Sequence, residues 1–341
     1  DFAHAQLREL AYAETSAARR RLLHRRTADA LANRGRARHE LDVLASQIAW
    51  HYQLAGDEAL AADYFKLAGD RARSLYANTD ALAYYQNALA LQHPRLAELH
   101  EAIGDLQTLL GDYASALNHY ASAQHAGTSA MQATLAHKRG NVHHRRGEYA
   151  LAEQHYQSAL AALADEDASA RAQLLVDWSL TAHDQGLDER AQDLASQALT
   201  LAETARDLRA LARVRNMLGI LARSRGDIAH ARYQLEHSCA IAEALHDPGV
   251  RIAALNNLAL VCRDNHEIER AIQLSETALT LCAALGDRHR EAALHNNLAD
   301  LFHALAQSEP AMAHLKQAVA IFAEIGEVSG MQPEIWKLVE W

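Results

Sequence analysis

The chain of 341 residues is 50% hydrophobic but only 6% aromatic, with 4 prolines and 15 glycines, a balance that supports a core of long helices and disfavours a many-stranded sheet. Lys and Arg number 33 against 43 Asp and Glu, and the formal net charge of -10 excludes a sequence-wide basic surface for nucleic acid. The sequence has neither an apolar run of about 18 residues, which a spanning helix needs, nor the charged, apolar and small-residue order of a signal peptide, so no membrane association is expected.

In chain order, the Asp1-Phe2 start without methionine predicts an excised piece of a longer polypeptide. Residues 1–40 form the first segment. Arg8, Arg19, Arg20, Arg21, Arg25, Arg26, Arg34, Arg36 and Arg38 face only Asp1, Glu9, Glu14, Asp29 and Glu40, so the segment carries +4 and the remainder -14. A basic face for nucleic acid and a helix surface docking another domain both fit this pattern, and the second is the simpler. Beyond residue 40, "IAWHYQLAGDEALAADYFKLAGDRARSLYANTDALAYYQNALAL" reads as helix pairs. Its Gly56-Asp57 and Gly69-Asp70 lie too close together for two full repeats, so an irregular first repeat is expected.

From residue 104 a period is visible. Gly104, Gly140, Ser179, Gly219, Ala259 and Ala299 are small residues in alanine-rich stretches, spaced 36, 39, 40, 40 and 40 apart. Seven residues after each comes a second mark, at Gly111, Gly147, Gly186, Gly226, His266 and Ala306, and five further on a small residue, at Ala116, Ala152, Ala191, Ala231, Ala271 and Ala311. Then follow Tyr120, Tyr156, Ala195, Leu235, Ser275 and Leu315, and three later Ala123, Ala159, Ala198, Ser238, Ala278 and Ala318. Antiparallel helices approach closely only where side chains are small, and a left-handed residue ends the first helix of each pair. The acids of Gly111-Asp112, Gly147-Glu148 and Gly226-Asp227 are expected to cap the second helix. At the far end, "MQPEIWKLVEW" supplies Pro333 as a start signal and Ile335, Trp336, Leu338 and Trp341 as the apolar face of a terminal capping helix.

These marks resemble the tetratricopeptide repeat over roughly residues 42–325, most closely in "RGEYALAEQHYQSAL" and "LGDYASALNHYASA". The resemblance implies an all-α, right-handed superhelical solenoid of helix pairs. The later units are longer than the common one of about 34 residues, and its usual proline is largely missing. "DFAHAQLRELAYAETSAARRRLLHRRTADAL", with Phe2, His4, Leu7, Arg8, Tyr12, Arg19, Arg21, Leu23 and His24, resembles the segment that joins the winged-helix part of STAND signalling ATPases, which include MalT-type activators, to their helical sensor. That resemblance implies a cytoplasmic sensor that receives an inducer and relieves autoinhibition of an upstream NTPase module. The expected organisation is residues 1–40 as a helical junction segment, 41–325 as the repeat array and 326–341 as a C-terminal cap.

Catalytic and cofactor motifs are missing from the sequence. It has no G-x-x-x-x-G-K-[ST] loop, no G-x-G-x-x-G and no G-x-S-x-G. His266-Glu267 lacks the second histidine of H-E-x-x-H, and Cys239, Cys262 and Cys282 sit in no metal or nucleophile spacing. The cysteines are expected to be reduced packing residues, the 21 histidines surface or groove residues, and the chain a binder without cofactor or metal rather than an enzyme.

In a stacked array the first helices line the concave surface, so residues of equal phase form a strip. Asn216, Asn256 and Asn296 recur in phase, followed seven residues later by Arg223, Arg263 and His303. Earlier units place His137, Asn141, His144 and His183 at or beside these phases. An asparagine amide both donates and accepts, and so suits an extended peptide backbone; arginine adds bidentate recognition of carboxylate or phosphate. The candidate groove is therefore Asn216, Asn256, Asn296, Arg223, Arg263, His303, His144, His183 and Asn141, open to a protein, peptide or small-molecule inducer. Bonding of these amides to neighbouring helices is the competing structural reading, and whether Asn256 or Asn257, and Asn296 or Asn297, faces the groove stays open. Glu98, Glu101 and Asp105 occupy the matching face of an earlier repeat and suggest an acidic end. A constitutive scaffold that binds partner peptides is the alternative function.

Overall fold

The computed structural model describes Glu9, residues 12–164 and residues 167–329, and all regular structure among them is helical. Phe2, His4, Leu7 and Arg8 of the junction resemblance and the expected cap from Pro333 to Trp341 lie outside the described residues. The helices are α1 (Ala17–Arg38), α2 (Leu41–Ala55), α3 (Glu58–Ser74), α4 (Asn78–Ala90), α5 (Leu96–Leu110), α6 (Tyr113–Ala126), α7 (Ser129–Arg145) and α8 (Tyr149–Ala162). They continue as α9 (Ala168–Asp184), α10 (Asp188–Ala205), α11 (Leu208–Ser224), α12 (Ile228–Ala244), α13 (Pro248–Asp264), α14 (Ile268–Leu285), α15 (Arg288–Ala304) and α16 (Ser308–Ser329).

Each pair turns at the second mark. Gly147 has φ 72°, a left-handed conformation that costs glycine little, and His266 and Ala306 adopt the same region with φ 62° and 57°. The turn geometry is therefore kept where glycine is lost, at the expense of local strain. Capping follows the expected acids in two of three pairs: Asp112 accepts from the Ser115 N–H and Asp227 from the His230 N–H, both at 3.0 Å. Glu148 departs, because its carboxylate binds His143 at 2.6 Å and Arg146 at 3.0 Å and makes no cap bond.

Packing inside a pair follows a size rule between residues 16 apart. A Cβ on Gly140 would meet the Tyr156 ring at 2.5 Å, one on Gly219 would meet Leu235 at 2.5 Å, and one on Gly69 would meet Tyr85 at 2.5 Å. Where the first position is larger, as at Ser179 and Ala259, its partner shrinks to Ala195 and Ser275, and all four are buried. The Tyr156 ring is fully buried and its hydroxyl donates to the Asn141 Oδ1 at 2.9 Å, so it cannot move aside. Gly140→Ala should therefore cost about 2 kcal/mol as an overpacked core, read as a lower urea midpoint; an unchanged midpoint would contradict this packing.

The chain divides into two compact units, Asp1–Leu106 and Gln107–Trp341. In the first, α3 resolves the crowded glycine marks. After Gly56 it supplies Ala61, Phe65 and Ala68 as the second helix of one pair, and its own Gly69 packs on Tyr85 of α4 as the first helix of the next. One helix serves two repeats, so the expected irregularity is a shared helix.

In the second unit the first helices pack side by side, α9 on α11 and α11 on α13, while second helices pack between them. The closer-packed layer is the inner one. The inner curve is tight enough to bring the two ends of this unit together: Gly111 lies against Ile325, and Tyr113, Leu135, Ala292 and Ile321 share one buried cluster. At the same junction the Tyr113 hydroxyl is hydrogen-bonded to His289 at 3.0 Å. Among the described residues no helix is long and apolar enough to cross a membrane.

Candidate functional site

On the inner layer of the second unit, polar side chains reach from each first helix to the next. His137 binds Asp177 at 2.8 Å, Asn257 donates to Asn216 at 3.0 Å, and Asn297 donates to Asn256 at 2.8 Å. Each bond joins a residue three before the small mark of one repeat to a residue two before the mark of the following one. The α9–α11 step, where this phase holds Val176 and Met217, is apolar instead, and both residues are buried in one cluster. Asn256 and Asn257 thus both take part in the ladder, on opposite sides of α13, while of the next pair Asn297 does so, and all five amide residues are half-buried. Each bond uses one end of an amide. The Asn296 Oδ1 is buried without a hydrogen-bond partner.

A second ladder runs one to two turns further along. Arg223 Nε donates to Asp264 at 2.6 Å and Arg263 holds the other oxygen of the same carboxylate at 3.0 and 3.1 Å. His144 stands 3.7 Å from Asp184 in the matching arrangement and is bonded to the Thr181 hydroxyl at 2.9 Å. His183 binds Asp188 at 2.8 Å, across the turn of its own pair, and His303 lies exposed on α15. Asn141 donates to Asp177 at 3.1 Å. The structure therefore places Asn216, Asn256, Arg223, His144 and Asn141 in interhelix contacts along one layer, with Arg263 on the carboxylate of its own helix that Arg223 reaches. Of the acidic residues, Asp105 pairs with Arg73 at 2.9 Å, and Glu98 with Arg95 at 3.5 Å and Lys66 at 3.9 Å, all within the first unit.

Two charged centres in this layer were not singled out from sequence. Asp177 collects His137, Asn141 and Arg213. Burial opposes its ionisation, but the Arg213 charge and the His137 hydrogen bond hold its carboxyl far below the usual range. At the junction, Arg145 grips Asp287 bidentately at 2.9 and 2.8 Å across 142 residues of sequence. Asp287 is 1% exposed and also caps α15 through the Arg290 N–H at 3.3 Å. Burial again opposes charge, and Arg145 and then Arg290 keep the carboxyl ionised. The available signal was the phase: Arg145 sits one residue past the His144 position, and Asp287 is an N-cap before α15.

His289 beside this pair titrates abnormally. Burial, then the charge of Arg145, pushes its pKa from 6.5 to about 4. Between those values the unfolded chain binds a proton that the folded chain refuses, so stability falls as pH drops from about 6.5 to about 4, by at most about 3 kcal/mol. The drop in urea midpoint from pH 7 to pH 5 should shrink in His289→Gln; an equal drop would show that His289 is not the group responsible.

Elsewhere, a cleft of about 570 Å³ between α8 and α9 is lined by Leu160, Leu163, Arg171 and Trp178 among others, with Arg190 stacked 5.2 Å from the Trp178 ring. Cys262 and Cys282 are buried free thiols and Cys239 is half-buried; burial raises all three, Cys239 to about 11 and Cys282 to about 12. These are packing groups rather than nucleophiles. Among the described residues no three His, Cys, Asp or Glu converge as metal ligands.

Two tetratricopeptide-repeat family models match the chain, over residues 211–249 and 250–324. A search of curated proteins finds no match. Among solved structures the chain is similar to the Rap conjugation gene regulator of plasmid pLS20 in complex with the Phr* peptide, with a TM-score of 0.64 at 15% identity, covering 82% of this chain and 76% of that one. It is also similar to a Rap protein complexed with Competence and Sporulation Factor, with a TM-score of 0.56 at 15% identity and 78% of each chain covered. A chain of the APC/C hetero-tetramer Cut9-Hcn1 aligns with a TM-score of 0.53 at 15% identity, over 88% of this chain and 54% of that one. At these identities the likeness establishes the fold, an all-α solenoid of tetratricopeptide-type helix pairs, and the family models recognise the repeat at residues 211–324.

Proposed function

We propose that this chain is a binding module whose second unit takes a peptide, protein segment or small-molecule inducer on its inner layer. The observation that carries the reading is the pair of polar ladders: amide, guanidinium and imidazole groups recur in phase on the first helices and stay half-accessible. Such groups hold the repeats in register and still offer the donors and acceptors that an extended backbone needs. The Rap structures, of the same fold, are complexes with the Phr* peptide and with Competence and Sporulation Factor. Asn216, Asn256, Asn296, Arg223, Arg263, His303, His144, His183 and Asn141 remain the residues assigned to contact.

In the finer reading, the module is the cytoplasmic sensor of a STAND-type regulator, working by binding rather than catalysis. An inducer that prefers one form of the array shifts its population, and the helical segment of residues 1–40 passes the change to an upstream NTPase module. The alternative is a constitutive scaffold. Thermal midpoints of the full chain with small-molecule and macromolecular cell fractions separate them, since any ligand of the native state raises the midpoint. A rise with small molecules that is lost in Arg223→Gln/Arg263→Gln supports the sensor; a rise with macromolecules alone supports the scaffold; no rise with either overturns both.

A further inference from the structure

The ends of the second unit meet around the buried Asp287, which two arginines approach. Arg145 and Arg290 both face Asp287 there, and the charge of Arg213 on α11 also reaches Arg290. Each carboxylate already has its arginine: Asp287 binds Arg145 bidentately, Asp247 binds Arg209 at 2.6 Å, and Asp177 binds Arg213. Arg290 is the surplus. Its Nη1 donates to the Gly249 carbonyl at 2.9 Å, and its Nε stands 3.6 Å from an Asp287 oxygen that Arg145 already holds. The charges of both Arg145 and Arg213 are felt at Arg290, and burial together with Arg145 lowers its affinity for its own proton.

Beyond its support of Asp287 and its bond to Gly249, little about this position favours a cation for stability. Arg290 lies in the first turn of α15, where the helix dipole disfavours positive charge. Yet its side chain is 38% accessible in an otherwise enclosed place, whereas the Asp287 beside it is 1% accessible. The neighbouring imidazole of His289 is held neutral by burial and by Arg145, and so adds a polar wall without another charge. A planar guanidinium with unfilled donors, which feels the charges of two further guanidiniums, matches the fork geometry of an oxyanion.

We propose that Arg290, backed by Arg145 and Arg213, forms an oxyanion subsite inside the second unit that takes a carboxylate or phosphate group of the ligand. This deepens the binding reading above and rests on it for the rest of the ligand, but the subsite is testable without that ligand. A group bound there would touch α7, α11 and α15 together, and so would tighten the junction between the ends of the unit.

Calorimetric titration and thermal midpoints of the full chain with inorganic phosphate and with succinate, against chloride at matched ionic strength, test it. One saturable site is expected for at least one of the two, phosphate alone indicating a phosphoryl group and succinate alone a carboxylate. Arg290→Gln should weaken that site about ten-fold or more, and Arg290→Lys, which keeps the charge without the fork, should weaken it less. Asn256→Ala/Asn296→Ala should leave it intact, so failure of the ladder reading and failure of the subsite are told apart. A response to neither anion beyond chloride, or an equal response in wild type, Arg290→Gln and Arg290→Lys, would mean an adventitious ion only and would overturn the proposal.

Discussion

Asp287→Ala should destabilise the second unit by about 3–5 kcal/mol, because it leaves the Arg145 guanidinium enclosed without its counter-charge. The carboxylate makes both bonds to Arg145 and also caps α15, so the alanine loses a cap worth about 1 kcal/mol within that total. Asp287→Asn keeps a capping oxygen and loses the charge, and should fall between. The decisive comparison is the double variant Arg145→Met/Asp287→Asn. Removing both charges leaves only the more accessible Arg290 without its counter-charge, so it should recover much of the loss, as buried pairs cost little when replaced whole. Urea midpoints by circular dichroism read all four proteins, and equal midpoints for Asp287→Ala and wild type would mean that the junction is not closed by this pair.

Asp177→Ala should have an effect of similar size, about 3–5 kcal/mol, for the same physical reason at a different place. It strips partners from Arg213 of α11 and from His137 and Asn141 of α7 at once, so with Asp177 on α9 it joins three consecutive first helices. In a repeat protein stability is a sum over neighbours, so the damage should be local. Hydrogen exchange should accelerate in α7, α9 and α11 and stay nearly unchanged in α1 to α4. Uniform acceleration over the whole chain would contradict this nearest-neighbour picture.

Much of the fold is legible in the small residues. The run from Gly140 to Ala159, with its glycine, turn, alanine, tyrosine and alanine, specifies a helix pair locally, since each position answers to a neighbour within about 20 residues. The same logic explains why His266 and Ala306 could replace glycine: the surrounding marks fix the turn, and the residue bears the strain. The shared helix α3 was harder to read, because Gly56 and Gly69 carry different duties, one a left-handed turn and the other a contact with Tyr85.

The site was legible in phase but not in partnership. Spacing placed Asn216, Asn256 and Asn296 on one layer, yet it could not say that Asn257 and Asn297 reach back to the preceding repeat, because that depends on the small rotation between repeats. Arg145 and Asp287 were invisible for a stronger version of the same reason. That rotation accumulates over several pairs before these two residues meet, and no local pattern records the sum.

Selection of peptides from a random displayed library on the full chain and on Asn256→Ala/Asn296→Ala/Arg223→Gln/Arg263→Gln tests the binding account most directly. A consensus enriched on the wild type and lost on the variant, with the variant still helical by circular dichroism, is the predicted result. No consensus on the wild type, or the same one on both proteins, would mean that the ladders only hold the repeats together and that the inner layer is not the binding surface.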